Sequence, residues 1–352
     1  MSEHWISNWG QELALAGCEQ CDWLYLLPPD KLPLTCPHCG QEALAVMDET
    51  ADSPIYTHPP ELFLPFTASQ TSLESQLKQF VSGIWIAPKD LSVPHLLGRL
   101  QPVYMPMWLV DAEIQAQWQA EVGFDYQVVS HREKHVNGRW HSQEVKKTKV
   151  RWEPRVGTLS RRYDNTAAPA LEDHSDMMKR LARYDHSQSQ PYQPLNDVLV
   201  RLPNRPPEDA WSEATAALHG LAGDDCRRAA GGDHVRDFKW SANFSSQNWS
   251  QLLLPLYTTY YLDDESKPQV LLVNGQTGVL DGRKRASMKR AFQLGTIVAV
   301  IAALLFLVGL ALTLIGEAGV ANAGRQIITI SFFGLLLAFL PIIYVWYFNQ
   351  TH

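Results

Sequence analysis

Two uncharged apolar runs near the C-terminus, Leu294–Ile315 and Ile327–Phe348, constrain this chain more than any other feature. Each is 22 residues long. At about 1.5 Å rise per residue, a helix of that length covers roughly 33 Å, enough to cross the hydrocarbon core of a bilayer. The alternative is a pair of buried core helices. Core helices keep a polar stripe, and these runs have none. The Gly/Ala-rich connector Gly316–Arg325 is short, so residues 291–352 are expected to form a transmembrane helical hairpin with spans 294–315 and 327–348. Pro341 is expected to kink the second span. The absence of buried charge argues against a transporter.

Charge sets the expected orientation. Arg283, Lys284, Arg285, Lys289 and Arg290 precede the first span, whereas the connector holds only Glu317 and Arg325. The positive-inside rule then places the first 290 residues and the tail Asn349–His352 in the cytoplasm, with both termini on that side. The basic collar is expected to touch anionic headgroups. Glu3 and His4 stand where a signal peptide would be apolar, so secretion is not expected.

Four of the five cysteines fall in two pairs, Cys18-Glu-Gln-Cys21 and Cys36-Pro-His-Cys39-Gly40, with fourteen residues between the inner cysteines. Two such turns can converge four thiolates tetrahedrally, the arrangement Zn²⁺ prefers, and residues 1–50 are read as a zinc ribbon. Iron–sulfur or redox use is the alternative. With cysteine at all four ligand positions the site is closed, hence structural rather than catalytic. Trp23, Tyr25, Leu26 and Leu27 are expected to pack over it, and His38 to be exposed. Residues 1–50 carry eight acidic side chains against one basic, Lys31. Such a module repels a phosphate backbone, which makes nucleic acid an unlikely partner. Trp5, Trp9 and Trp23 either offer an apolar face to a protein partner or pack on the ribbon.

Residues 51–290 read as a β-rich cytoplasmic domain with short helices, and the fold class as α+β. A linker covers Ala51–Pro60, followed by a short strand at Leu62–Phe66. Thr71 and Glu74 form a capping box before a helical face of Leu73, Leu77, Phe80 and Val81. A strand from Val103 alternates through Ile114, Ala116 and Trp118, and resumes at Val122 and Phe124 after a turn. Asn137-Gly138 marks a hairpin, with Trp140, Val145 and Val150 alternating beyond it. His131, His135 and His141 sit in this stretch without a carboxylate or cysteine pair at ligand spacing, and an exposed edge explains them. Asp173–Tyr184 and Pro207–Leu221 read as helices. Cys226 reads as a loop thiol, and Gly231-Gly232 as a break. Leu252–Tyr261 and Val270–Val273 are strands joined by Asp263–Lys267, and Asn274–Gly278 turns the chain again. That loop lacks the Gly-Lys-Ser/Thr ending of a P-loop. The segments Pro106-Met107-Trp108 and Pro255-Leu256-Tyr257 suggest two related β units.

The front Cys-x-x-Cys…Cys-Pro-x-Cys-Gly, the central Tyr104-Met-Pro-Met-Trp108 and the stretch Leu254-Pro255…Val273-Asn274-Gly275-Gln-Thr-Gly278 before the spans together resemble a bacterial family. These are the TFIIB-type zinc-ribbon membrane proteins, often labelled primosomal-protein-N′-like. The resemblance covers most of the chain. This sequence departs from it in having Tyr257 where the family tends to have Trp, and a basic run where Pro-x-Ser is usual. The resemblance implies placement in a bacterial inner membrane and association with membrane-stress partners, PspA-like or flotillin-like (SPFH) proteins. Helicase motifs are absent, so a replication role is not expected.

The functional expectation is a membrane-anchored scaffold that presents a zinc ribbon and a β-rich body to protein partners, with self-association left open. One alternative is nucleic-acid binding through a tethered ribbon. The other is a hydrolase using Cys226 or the histidines near His131. No G-x-S-x-G, H-E-x-x-H or kinase-type set is present, so an enzyme is not expected.

Overall fold

The computed structural model describes residues 5–6, 8–47, 56–136, 139–195, 197–315 and 317–351; the side chains of residues 5, 134–139 and 141 are outside the description. The expected turn at Asn137-Gly138 and most of the linker 51–60 therefore lie outside the described residues.

Alternating apolar residues make most of the strands. In chain order these are β1 (Trp5–Ile6), β2 (Leu13–Gly17), β3 (Leu24–Leu27), β4 (Ala45–Val46), β5 (Leu62–Phe63), β6 (Gln101–Val136), β7 (Arg139–Pro169), β8 (Gln190–Pro191), β9 (Leu199–Arg201), β10 (His234–Leu262), β11 (Pro268–Asn274) and β12 (Leu280–Gly282). The helices are α1 (Gln70–Ser82), α2 (Val93–Gly98), α3 (His174–Arg180), α4 (Pro207–Ala230), α5 (Met288–Leu314), α6 (Ala318–Leu337) and α7 (Leu340–Thr351). The fold is mixed α+β. Strand order is β1-β2-β3-β9-β6-β10-β11-β12, with β4 beside β2, β5 beside β8 and β10, and β7 beside β6. The β6–β9 pair is parallel.

The chain divides into two compact units. The first comprises Met1–Pro106, Asp173–Leu202 and Leu253–His352. The second comprises Met107–Glu172 and Pro203–Leu252. β6 and β10 contribute residues to both, β6 changing unit after Pro106 and β10 after Leu252. The look-alike segments at Pro106 and Pro255 thus fall at or near these changeovers.

In the second unit, β6 and β7 form one long antiparallel ribbon, in register from Met107↔Pro169 to Val136↔Arg139. β6 runs through residues 118–122 without the expected turn; its alternation simply continues. The register shifts at Val110/Ala112, where the skipped Asp111 bonds the backbone N–H of Asn165 at 2.9 Å. α4 begins at Pro207 with Glu208 and Asp209 in its first turn and ends with Arg227 and Arg228, matching the helix dipole. Gly231, at φ +68°, closes it. α4 outruns the expected end at Leu221. Leu218, Ala222, Cys226 and Ala230 form one buried face against Ala112, Ile114, Ala116 and Trp118 of β6. Cys226 is therefore a core side chain of a helix, not a loop thiol.

In the first unit, α1 is capped by Ser69, whose hydroxyl accepts the Ser72 N–H at 3.2 Å. Ser69 thus does the capping expected of Thr71. The two apolar C-terminal helices are long enough and apolar enough to cross a membrane. They begin and end differently from the expected spans. α6 starts at Ala318, so most of the Gly/Ala-rich connector is helical. The second run is interrupted between Leu337 and Leu340. Pro341 explains the break, because its ring would strike the carbonyl four residues back, at Leu337.

Candidate metal centre

Each Cys-x-x-Cys segment is a tight backbone knuckle. In the first, the Asp22 N–H bonds the Cys18 carbonyl at 2.8 Å; in the second, the Gly40 N–H bonds the Cys36 carbonyl at 2.9 Å. The residue after each second cysteine turns into the left-handed region, Asp22 at φ 57° and Gly40 at φ 65°. Glycine meets that demand freely and aspartate tolerates it. The two knuckles bring Cys18, Cys21, Cys36 and Cys39 together, all four sulfurs lying within 4.8 Å of one another. Cys18 Sγ is 3.6 Å from Cys39 Sγ, and Cys21 Sγ is 3.7 Å from Cys36 Sγ. A disulfide needs about 2.05 Å, so the four are free thiols. A tetrahedral ion with metal–sulfur bonds of about 2.3 Å puts its sulfurs roughly 3.8 Å apart, and the two shortest separations match it. The donor set therefore fits a metal ion, and it is the one such cluster among the described residues.

Electrostatics point the same way. Burial and the neighbouring Cys36 push the Cys21 thiol well above its usual range, with only the Trp23 N–H opposing. Burial raises Cys36 to about 11 against N–H bonds from Cys39 and His38. Burial also opposes the Cys39 thiolate, but N–H bonds from Gln41 and Glu42 outweigh it and bring that thiol below its ordinary value. Backbone amides thus already point at the sulfurs, and a cation is what would let all four ionise together.

The surroundings revise several sequence expectations. Tyr25 and Leu27 pack in the same apolar cluster as Cys18 and Cys36. Leu26 points to the other face of β3 and joins Trp9, Leu13 and Leu253. Trp9 is only 1% exposed, its Nε1–H bonded to the Thr57 carbonyl at 2.7 Å and its ring edge-on to Tyr192. Trp23 is half-buried between the Arg201 guanidinium and the His38 ring. Of the two readings of these tryptophans, Trp9 and Trp23 follow the packing one. His38 is half-buried, not exposed; its Nε2 is 3.8 Å from Asp173 Oδ2. Arg201, 3% exposed, donates from Nη2 to Asp173 Oδ1 at 3.0 Å. Burial disfavours the Asp173 carboxylate, but His38 and Arg201 outweigh it and hold its pKa below the ordinary value. Arg201 was not among the sequence candidates. Nothing in the local pattern Leu199–Arg201 distinguishes a buried arginine from a surface one.

No family model, no curated protein and no solved structure matches this chain.

The other sequence candidates are not gathered into a site. His131 lies exposed on β6, and the side chains of His135 and His141 are outside the description. Cys226 is buried, and burial raises its pKa. The Asn274–Gly278 loop spends its donors within itself and on β10. The Gly275 N–H bonds the Pro255 carbonyl, the Gln276 and Thr277 N–H groups bond Asn274 Oδ1, and the Gly278 N–H bonds the Asn274 carbonyl. Asn274 itself is fully buried and donates from Nδ2 to the Leu181 carbonyl at 3.0 Å. The loop is a structural lock, not a phosphate cradle. In the turn Asp263–Lys267, Asp264 accepts from Ser287 Oγ at 2.6 Å and from the Lys289 N–H at 2.9 Å, fastening the start of α5.

Proposed function

We propose that this protein is a membrane-anchored scaffold of a bacterial inner membrane, presenting a zinc-bound knob and a β-rich body in the cytoplasm for a protein partner. One observation carries the reading: both ends of the apolar helical pair are fastened to the same unit that holds the four cysteines. At the start of α5, Ala286 exchanges two hydrogen bonds with the Asn349 side chain near the end of α7, at 2.8 and 3.0 Å. Val345 and Phe348 of α7 pack with Ala291 of α5 against Ile84, Ile86 and Leu96 of the body. Between these fastenings, Leu304, Leu307, Phe332 and Phe333 are 58, 59, 59 and 60% exposed. Apolar surface on that scale calls for lipid.

The ion proposed is Zn²⁺, held by Cys18, Cys21, Cys36 and Cys39 with no position left for substrate, so it stabilises rather than catalyses. Its four thiolates leave a net charge near −2. The buried Arg201, on which the Cys21 charge acts, supplies a compensating cation. The resemblance to TFIIB-type zinc-ribbon membrane proteins suggests PspA-like or flotillin-like partners. The acidic knob speaks against nucleic acid.

Affinity purification of the full chain from detergent-solubilised membranes, with zinc and iron measured in the same sample, tests the reading. About one zinc per chain and a co-purifying protein, lost in Cys36→Ser, is the expected result. Iron in place of zinc would overturn the ion, and the absence of any partner under mild detergent would overturn the scaffold.

A further inference from the structure

Beside the cysteine cluster, within the first unit, lies a cavity of about 230 Å³. It has room for roughly seven waters at their liquid share of about 30 Å³ each. Its walls are mainly apolar, supplied by Met105, Met177, Leu256 and Val270 among others. Arg201 lines it and is almost wholly buried. A guanidinium carries five N–H groups. Among the described residues, Arg201 uses one, to Asp173, and its Nε has no partner. Arg180 and Arg283 also line the cavity, and both are exposed.

The charges do not cancel. Arg201 is paired with Asp173, and Arg180 with Asp281 at 3.2 Å. No carboxylate pairs with Arg283 among the described residues. One cation, Arg283 at the cavity's exposed side, is thus left without a carboxylate, and the buried Arg201 keeps an unpartnered Nε–H beside apolar wall. An inorganic anion would match the charge and leave the walls unfilled. We infer that this cavity binds a small organic monocarboxylate, its carboxylate directed to the arginines and its apolar body against Met105, Leu256 and Val270. Arginine forks fit a carboxylate in a bidentate manner, and the apolar walls supply the rest of the affinity.

The cavity reaches Pro37 and His38 of the second knuckle and Asp281–Arg283, where the chain enters the basic collar. A bound carboxylate therefore touches both the cysteine knob and the segment leading into α5.

The test uses the full chain in detergent, with saturation-transfer NMR and benzoate as the probe. Benzoate is expected to bind with a dissociation constant on the order of 1 mM or tighter. Benzamide, of the same shape without the charge, is expected to bind at least about tenfold more weakly. Arg283→Gln should weaken benzoate several-fold, and Val270→Phe, which fills the cavity, should abolish saturation transfer. The comparison of benzoate with benzamide needs no variant and stands even if Val270→Phe misfolds. Equal binding of the two, unchanged binding in Val270→Phe, or displacement of benzoate by an equal concentration of inorganic phosphate would overturn the proposal.

Discussion

His174 is a buried histidine whose protonation the fold resists. It is 8% exposed, and its Nδ1 has no hydrogen-bond partner among the described residues. Burial lowers its pKa to about 4, aided by Arg201 and His186 and opposed by Asp173. Above pH 6.5 neither the folded nor the unfolded chain holds this proton. Between about 6.5 and 4 only the unfolded chain takes it up, so stability falls as pH falls through that window, by about 3 kcal/mol in total. Asp173 acts in the same direction, but only below the ordinary carboxylate range. Thermal melting in detergent should show wild type losing stability relative to His174→Phe as pH falls from 7 toward 4.5, so that the two separate at the acid end. Parallel pH profiles would show that His174 is not the titrating group. Asn274 gives a second residue-level prediction. Truncation to alanine strands the Leu181 carbonyl and two backbone N–H groups, and should cost about 3 kcal/mol in the same melting assay. The four cysteine ligands were legible because their spacing is short and repeated. Arg201, His174 and Asn274 were not legible as buried, because burial of a polar residue comes from distant strands and leaves no periodic trace.

At the level of elements, the paired apolar helices carry a seam that hydropathy alone does not reveal. Gly295, Ala302 and Gly309 on α5 recur every seven residues and are buried. Gly324 and Ser331 of α6 and Ala338 at its end recur with the same spacing, and Gly324 and Ser331 are likewise buried. The backbones meet there: a Cβ on Gly309 would come within 2.9 Å of the Gly324 carbonyl oxygen, and one on Gly295 within 2.6 Å of the Ala338 carbonyl oxygen. Small residues let membrane helices approach in this way. Gly309→Leu should therefore destabilise the pair by about 1–3 kcal/mol, whereas Leu307→Ala, on the exposed side, should change it by less than about 0.5 kcal/mol. Thermal loss of helical circular dichroism in detergent would separate them, and equal effects would refute the seam. Composition and the short connector announced an apolar helical hairpin, but not the face along which its helices meet, which lies in the spacing of small residues. α4 shows the converse error. The helix expected to end at Leu221 continues to Ala230: a Cβ on Gly220 would meet no neighbouring atom, and Gly223 leaves the room that Trp240 takes.

For the whole molecule, the deciding question is which side of the bilayer each part occupies. Asn349 and Ala286 are joined by two side-chain hydrogen bonds, and Arg285 donates to the Asn349 carbonyl at 3.3 Å. A chain held this way cannot place the start of α5 and the end of α7 on opposite faces of a membrane. On the function proposed above, the collar of Arg283, Lys284, Arg285, Lys289 and Arg290 would select the cytoplasmic face for both and leave Glu317 between the helices on the other side. Single cysteines introduced at these positions test this with a membrane-impermeant maleimide on intact cells. Glu317→Cys should be labelled from outside, and Thr351→Cys only after the membrane is opened. The native cysteines give little background, since Cys18, Cys36 and Cys226 are buried and all five sit in the part assigned to the cytoplasm. Labelling of Thr351→Cys alone in intact cells would reverse the orientation assigned to the collar, and labelling of both positions in intact cells would refute the common fastening, because one crossing would then separate Asn349 from Ala286. Labelling of neither before opening and both after it would place the connector inside, and the helical pair would then lie on or within the bilayer without crossing it.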